Sequence, residues 1–270
     1  MDQIYKYPRT RHLEGSRKQT GDEDLKNVAF REIEGKYLVL EEKVDGANCG
    51  ISFDSNGKMY LQSRGHFLNG GYGERQFDLF KLWACCFEER LRLLLGDRYV
   101  MYGEWLYAKH TVFYDRLPHY FMEFDIFDKE EEKFFSTGKR REILQDAPFV
   151  HSVRVLDEGY YTCPDAIAKW IGPSLFISQA AEEHFLIQCK KGGVNPETAA
   201  RQTDLSGIME GVYIKVEEED YVIDRLKFVR SSFLNTILDS ESHWASRPIV
   251  ANRLADGVDL FASKEGGMEG

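Results

Sequence analysis

The segment Glu42-Lys43-Val44-Asp45-Gly46-Ala47-Asn48 places an amine beside a glycine at the end of an apolar stretch. A lysine so placed can project into a pocket. It acts as a nucleophile only when neutral, which requires burial or nearby positive charge to lower its pKa. Taken alone, Lys-x-Asp-Gly is a common turn composition, and its ordinary reading is a surface turn. It is followed by Ser63-Arg64-Gly65, Tyr102-Gly103-Glu104-Trp105, Phe121-Met122-Glu123-Phe124-Asp125, Glu210-Gly211-Val212-Tyr213-Ile214-Lys215 and Arg225-Leu226-Lys227-Phe228-Val229-Arg230. Each of these has an ordinary reading too. Phe121 could pack a core, Glu104 could make a strand-edge salt bridge, and Lys215, Lys227, Arg225 and Arg230 could be solvated charges.

The order of the segments decides between these readings. Glu104 lies 61 residues after Lys43, Glu210 lies 106 after Glu104, and Lys227 lies 17 after Glu210. The set resembles the motifs of the covalent nucleotidyltransferase superfamily of polynucleotide ligases and mRNA capping enzymes over residues 37–233. The resemblance implies that Lys43 attacks the α-phosphate of ATP and expels pyrophosphate. Charge grows on the phosphate oxygens, and cations must surround it. The resemblance assigns Lys215 and Lys227 to the α-phosphate. It assigns Glu104 and Glu210 to the ribose and a divalent Mg²⁺ or Mn²⁺, a hard cation that takes oxygen ligands and keeps waters. Arg64 is expected on a phosphate or the ribose edge, Phe121 on the adenine face and Glu42 near the adenine. Arg225 stands where the family usually has a lysine, and an arginine still binds phosphate.

Asn48, two places after Gly46, resembles the phage RNA ligases of the nick-sealing type. Only 40 residues follow Arg230, too few for the oligonucleotide-binding barrel of about a hundred residues that capping enzymes and most DNA ligases carry. The expectation is an ATP-dependent RNA ligase that joins a 5′-phosphate to a 3′-hydroxyl. The alternatives are a DNA nick ligase using the same lysine, and an end-binding module that has lost catalysis. An end-healing partner protein is compatible with this reading. Net charge is −10, so RNA contacts must be local; the basic stretch from Lys6 to Lys18, with Tyr5, Tyr7 and His12, would suit single-stranded ends, or it is a solvated leader. The glycine-rich loop 66–73 fits no phosphate-loop spacing and reads as a connection able to close over the nucleotide.

These residues need a scaffold. Residues 36–40, 49–53, 58–63, 98–107, 119–127, 211–216 and 221–230 read as strands, with a hairpin at Asn56-Gly57. Apolar spacing from 75 to 95 predicts an amphipathic helix ending near Gly96, and 139–203 reads as mixed but mostly helical. The fold class is α+β, a nucleotidyltransferase domain of antiparallel sheets and flanking helices over residues 1–235, with a short polar tail over 236–270. Apolar runs are too short to span a membrane. The N-terminus lacks a signal core, and five scattered cysteines read as reduced thiols of a cytoplasmic protein.

Overall fold

The computed structural model describes residues 3–18, 22, 24–233 and 248–262. In chain order its strands are β1 (Arg11–His12), β2 (Tyr37–Lys43), β3 (Ala47–Phe53), β4 (Met59–Ser63), β5 (Tyr99–Trp105), β6 (Phe121–Asp128), β7 (Lys133–Phe135), β8 (His151–Ser152), β9 (Val155–Tyr160), β10 (Gly211–Glu218) and β11 (Tyr221–Val229). They form one sheet in the order β4-β3-β5-β6-β7-β11-β10-β2-β9. Pairing along this path is antiparallel; β1 joins β11 and β8 joins β6 in parallel. The α+β class and the antiparallel architecture expected from the sequence are therefore present.

The helices are α1 (Asp78–Cys86), α2 (Glu88–Leu95), α3 (Thr137–Leu144), α4 (Pro164–Ala168), α5 (Ala181–Lys191) and α6 (Pro196–Arg201). The single helix expected over 75–95 is a 3-10 turn followed by α1 and α2, which break at Phe87. The Phe87 ring lies on Phe149, with centroids 4.8 Å apart and planes 3° from parallel, so a tertiary contact accompanies the break. The stretch from 139 to 203 also contains β8 and β9, short strands without a strong alternating pattern. The two acidic runs turn the chain, with Glu132 and Glu219 at positive φ.

Side chains alternate across each strand, and the two faces of β2, β10 and β11 differ sharply. Leu38, Leu40, Val212, Ile214, Val216 and Leu226 face one apolar core together with Phe30, Ile33 and Ile167. The other face carries Glu41, Lys43, Lys215 and Lys227. A second core, built on Phe80, Trp83, Trp105 and Phe121, fixes α1 and α2 on β3, β5 and β6. A third lies behind the Lys43 turn and includes Val44, Leu106, Tyr114, Met122 and Phe176.

The described part of the expected tail, 248–262, belongs to the domain. Val250, Asn252 and Leu260 are buried, and Lys109 and Leu117 donate backbone hydrogen bonds to Val250 and Arg253. Residues 234–247 and 263–270, which hold the rest of that tail and its glycine-rich end, lie outside the described residues. Among the described residues, no helix is long and apolar enough to cross a membrane.

Candidate active site

Strand pairing assembles the site from three distant segments. Lys43, the last residue of β2, pairs with Gly211 at the start of β10, which brings Glu210 alongside it. Asn48 of β3 pairs with Glu104 of β5. Lys43 Nζ donates to Glu210 Oε2 at 2.6 Å, and the Gly46 N–H donates to Glu104 Oε1 at 3.1 Å. A Cβ at Gly46 would lie 2.6 Å from the Trp105 carbonyl oxygen. Only glycine lets the turn approach β5 this closely.

Burial pushes the Lys43 amine down, but the carboxylates of Glu210, Glu104 and Asp45 outweigh it and hold its pKa above the ordinary lysine value. The neutral lysine that nucleophilic attack needs is therefore not the resting state of this arrangement. Burial pushes Glu104 up to about 8 against the opposing pull of Lys43. Glu210 is raised by burial in the same way. The Lys227 amine is lowered, first by burial and then by the charge of Lys43, and it donates to Asp22 Oδ2 at 2.5 Å. Lys43, Glu104, Glu210 and Lys227 thus interact as one cluster.

The turn itself is tied down. Asp45 Oδ2 accepts the backbone N–H groups of Thr111 at 2.6 Å and Val112 at 2.8 Å, and the Asp45 N–H donates to Tyr114 Oη at 2.9 Å. Thr111, Val112 and Tyr114 were not among the residues expected at the site; they lie in a loop without motif character. Glu42 points to the opposite face from Lys43. Both its carboxylate oxygens are buried without a well-formed hydrogen bond among the described residues. Burial raises its pKa against partial relief from Ser174 and Arg154. Asn48 Oδ1 is likewise buried without a partner. Arg64 is exposed, one place beyond the Cys49–Ser63 pair and hence level with Asn48.

Four expectations are corrected. Phe121 is fully buried, stacked against Phe80 at 5.4 Å and Trp83 at 5.3 Å, so its ring is core and not a platform for a base. Lys215 does not reach the Lys43 cluster. Its Nζ pairs with Glu41 at 3.0 Å and Asp125 at 3.1 Å and donates to the Phe124 carbonyl. Arg225 joins the same network, pairing with Asp125 at 3.2 Å and lying over the Phe134 ring at 3.6 Å. Arg140 of α3 completes it through Glu123 and Glu41. Three acids and three bases thus neutralise one another inside the sheet. The N-terminal segment is structural over Tyr7 and His12: Tyr7 Oη donates to Asp125 Oδ2 at 2.5 Å, His12 is buried beside Ser16 and Asp22, and β1 adds to the sheet. The sequence signal for the network was Asp125 and Glu123, acids at alternate positions in an apolar strand.

Among the described residues, no three His, Cys, Asp or Glu side chains gather as a metal centre. Glu104, Glu210 and Asp45 nevertheless surround one lysine amine, and the next cation, Lys227, is itself paired with Asp22. Those carboxyl oxygens suit a hard cation that takes few protein oxygens and keeps its waters.

The family model described as RNA ligase matches residues 36–229. No sequence among curated proteins matches the chain. Solved structures of an RNA ligase from Naegleria gruberi share its fold. The form with PPi superposes with a TM-score of 0.53 at 16% identity, covering 87% of this chain and 58% of that one. A lysine-to-alanine mutant with ATP and Mn gives 0.51 at 14% identity, covering 87% and 59%. The chain therefore spans under two thirds of the length of these structures.

Proposed function

The chain belongs to the RNA ligase family, whose model covers most of it, and from that membership we propose that it is an ATP-dependent RNA ligase with Lys43 as its nucleophile. The observation that carries this reading is the convergence of Lys43, Glu104, Glu210 and Lys227 from segments far apart in sequence. Lys43 Nζ forms a bond to the α-phosphorus of ATP. The bond from that phosphorus to the bridging oxygen breaks, pyrophosphate departs with the electron pair, and the amine gives up its proton. AMP then passes to an RNA 5′-phosphate, and a 3′-hydroxyl attacks that activated end and releases AMP.

The chain's own residues divide the work. Glu104 and Glu210 would hold Mg²⁺ or Mn²⁺, which supplies charge to the phosphate oxygens. With those carboxylates so engaged, the attraction that keeps Lys43 charged would be weaker, and the ammonium of Lys227 favours the neutral amine further. Lys227 then serves the α-phosphate, where Asp22 now pairs with it. Asn48 and Arg64 lie at the nucleotide's edge, whereas Glu42, on the face of β2 opposite Lys43, has no part in this division. ATP and Mn accompany the structurally similar ligase, which supports the use of ATP and a divalent cation. RNA ends that lack a 5′-phosphate or 3′-hydroxyl need a separate end-healing activity, which we place on a partner protein in the cytoplasm.

The test is covalent labelling. With ATP labelled on the α-phosphate and Mg²⁺ or Mn²⁺ present, the wild type acquires the label, Lys43→Ala does not, and 5′-phosphate RNA is sealed. Labelling that survives Lys43→Ala removes Lys43 from its role.

A further inference from the structure

Asn252 lies far beyond the last residue of the site, yet every polar group it has is used by the segment that holds the site together. Its backbone N–H donates to the Tyr107 carbonyl at 2.8 Å. Its own carbonyl accepts the Tyr120 hydroxyl at 2.9 Å. Its side-chain Oδ1 accepts the Tyr114 N–H at 2.9 Å, and its Nδ2 donates to the Leu106 carbonyl at 2.7 Å. The residue is fully buried. An amide is the side chain that offers an acceptor and a donor side by side, and losing it leaves the Tyr114 N–H and the Leu106 carbonyl buried without partners.

Two of those partners lead directly to the reacting groups. The fully buried Tyr114 receives the Asp45 N–H on its hydroxyl, and Asp45 is two residues from Lys43. Leu106 stands two residues beyond Glu104. The neighbouring bridges Ala108–Ala251 and Leu117–Leu254 fix the strap containing Asn252 on both sides of this loop. We propose that Asn252 is a positioning residue for the Lys43 turn, acting through Tyr114, so that the strap at 248–262 is part of the adenylylation apparatus. This rests on the reading of Lys43 as the nucleophile.

The geometry specifies which step depends on it. Lys43 attacks only when the lysyl-AMP bond is made; sealing an RNA whose 5′ end already carries AMP does not use that amine as a nucleophile. The experiment measures single-turnover lysyl-AMP formation, sealing of pre-adenylylated RNA, and thermal stability in wild type, Asn252→Ala, Tyr114→Phe and the double variant. Tyr114→Phe removes one hydroxyl and leaves the ring in the core. It is expected to slow lysyl-AMP formation by about 10²-fold, the scale of a small misplacement of a reacting group, while retaining sealing of the pre-adenylylated strand. Asn252→Ala is expected to slow the same step at least as much, and the double variant to be no slower than Asn252→Ala. Normal lysyl-AMP formation in Tyr114→Phe overturns the proposal, as does an equal loss of both steps or a double variant whose losses multiply. A wild type that forms no lysyl-AMP at all is a different result: it removes the ligase reading itself.

Discussion

Lys43 Nζ and Glu210 Oε2 lie 2.6 Å apart although they stand 167 positions apart in the chain. The pair aims the amine and at the same time keeps it protonated, because a buried carboxylate stabilises an adjacent ammonium. On the proposed reading, anything that draws Glu210 away from the Lys43 amine favours its neutral form.

Glu210→Gln keeps the shape of the side chain and removes its charge. Lys43 loses its aim and a cation loses a ligand, so lysyl-AMP formation is expected to fall by about 10²-fold. The Mn²⁺ concentration for half-maximal labelling is expected to rise in Glu210→Gln and Glu104→Gln and to stay unchanged in Lys227→Ala. Labelling measured across a manganese titration checks this. An unchanged half-saturation in both glutamine variants would remove the two acids as metal ligands.

The buried position of Lys215 makes a different forecast from the phosphate contact expected at first. Lys215→Met leaves Glu41 and Asp125 facing each other without their shared cation. Breaking one member out of a buried ion network costs about 3–5 kcal/mol, so the variant is expected to melt well below wild type. Adding Glu41→Gln is expected to restore part of the loss. Thermal unfolding of the three proteins decides it. A Lys215→Met protein of full stability that cannot form lysyl-AMP would return Lys215 to the phosphates.

Phe121→Leu separates packing from base stacking. Its ring fills a site between Phe80 and Trp83, so the variant is expected to lose about 1–2 kcal/mol of stability with an unchanged KM for ATP. A folded variant whose KM for ATP rises sharply would show that the ring meets the base.

The residues legible in the sequence were those whose motif fixes both type and place. Lys43 and Glu210 meet because β2 and β10 pair from their ends, and Gly46 marks the turn's close approach to β5. Alternation correctly puts Lys215 on the same face as Lys43. It does not say how far along the face it sits: the register opposes Gly211 to Lys43 but Lys215 to Val39, and four residues of strand span about 13 Å. Over that distance Asp125 becomes the nearer partner. Gly103 carried a signal that went unread, since a Cβ there would meet the Phe121 ring at 2.6 Å; the glycine marks where that ring crosses the sheet. Asn252 gave no local signal, because its partners are more than a hundred residues away and no periodicity encodes such contacts. The basic charges near the N-terminus suggested a nucleic-acid surface, but their neighbours Tyr7 and His12 are consumed by Asp125, Ser16 and Asp22.

His119 gives the fold a pH dependence of its own. The ring is buried, its Nδ1 lies 3.0 Å from the Phe121 carbonyl, and it stacks on His151 at 5.5 Å. Burial lowers its pKa from 6.5 to about 4, with the Phe121 carbonyl opposing and the charge of His151 reinforcing. Between those two values the unfolded chain binds a proton that the native ring declines. Stability contributed by the neutral ring is therefore complete above pH 6.5 and is lost as pH falls toward 4. At about 1.4 kcal/mol per pH unit, the loss across this window approaches about 3 kcal/mol. His119→Gln cannot take up the proton. Urea unfolding of both proteins at several pH values from 7 to about 4.5 is expected to show the wild type losing stability faster than the variant, so that the gap between them closes as the solution is acidified. Parallel curves through this window would mean that His119 binds its proton as readily in the fold as outside it.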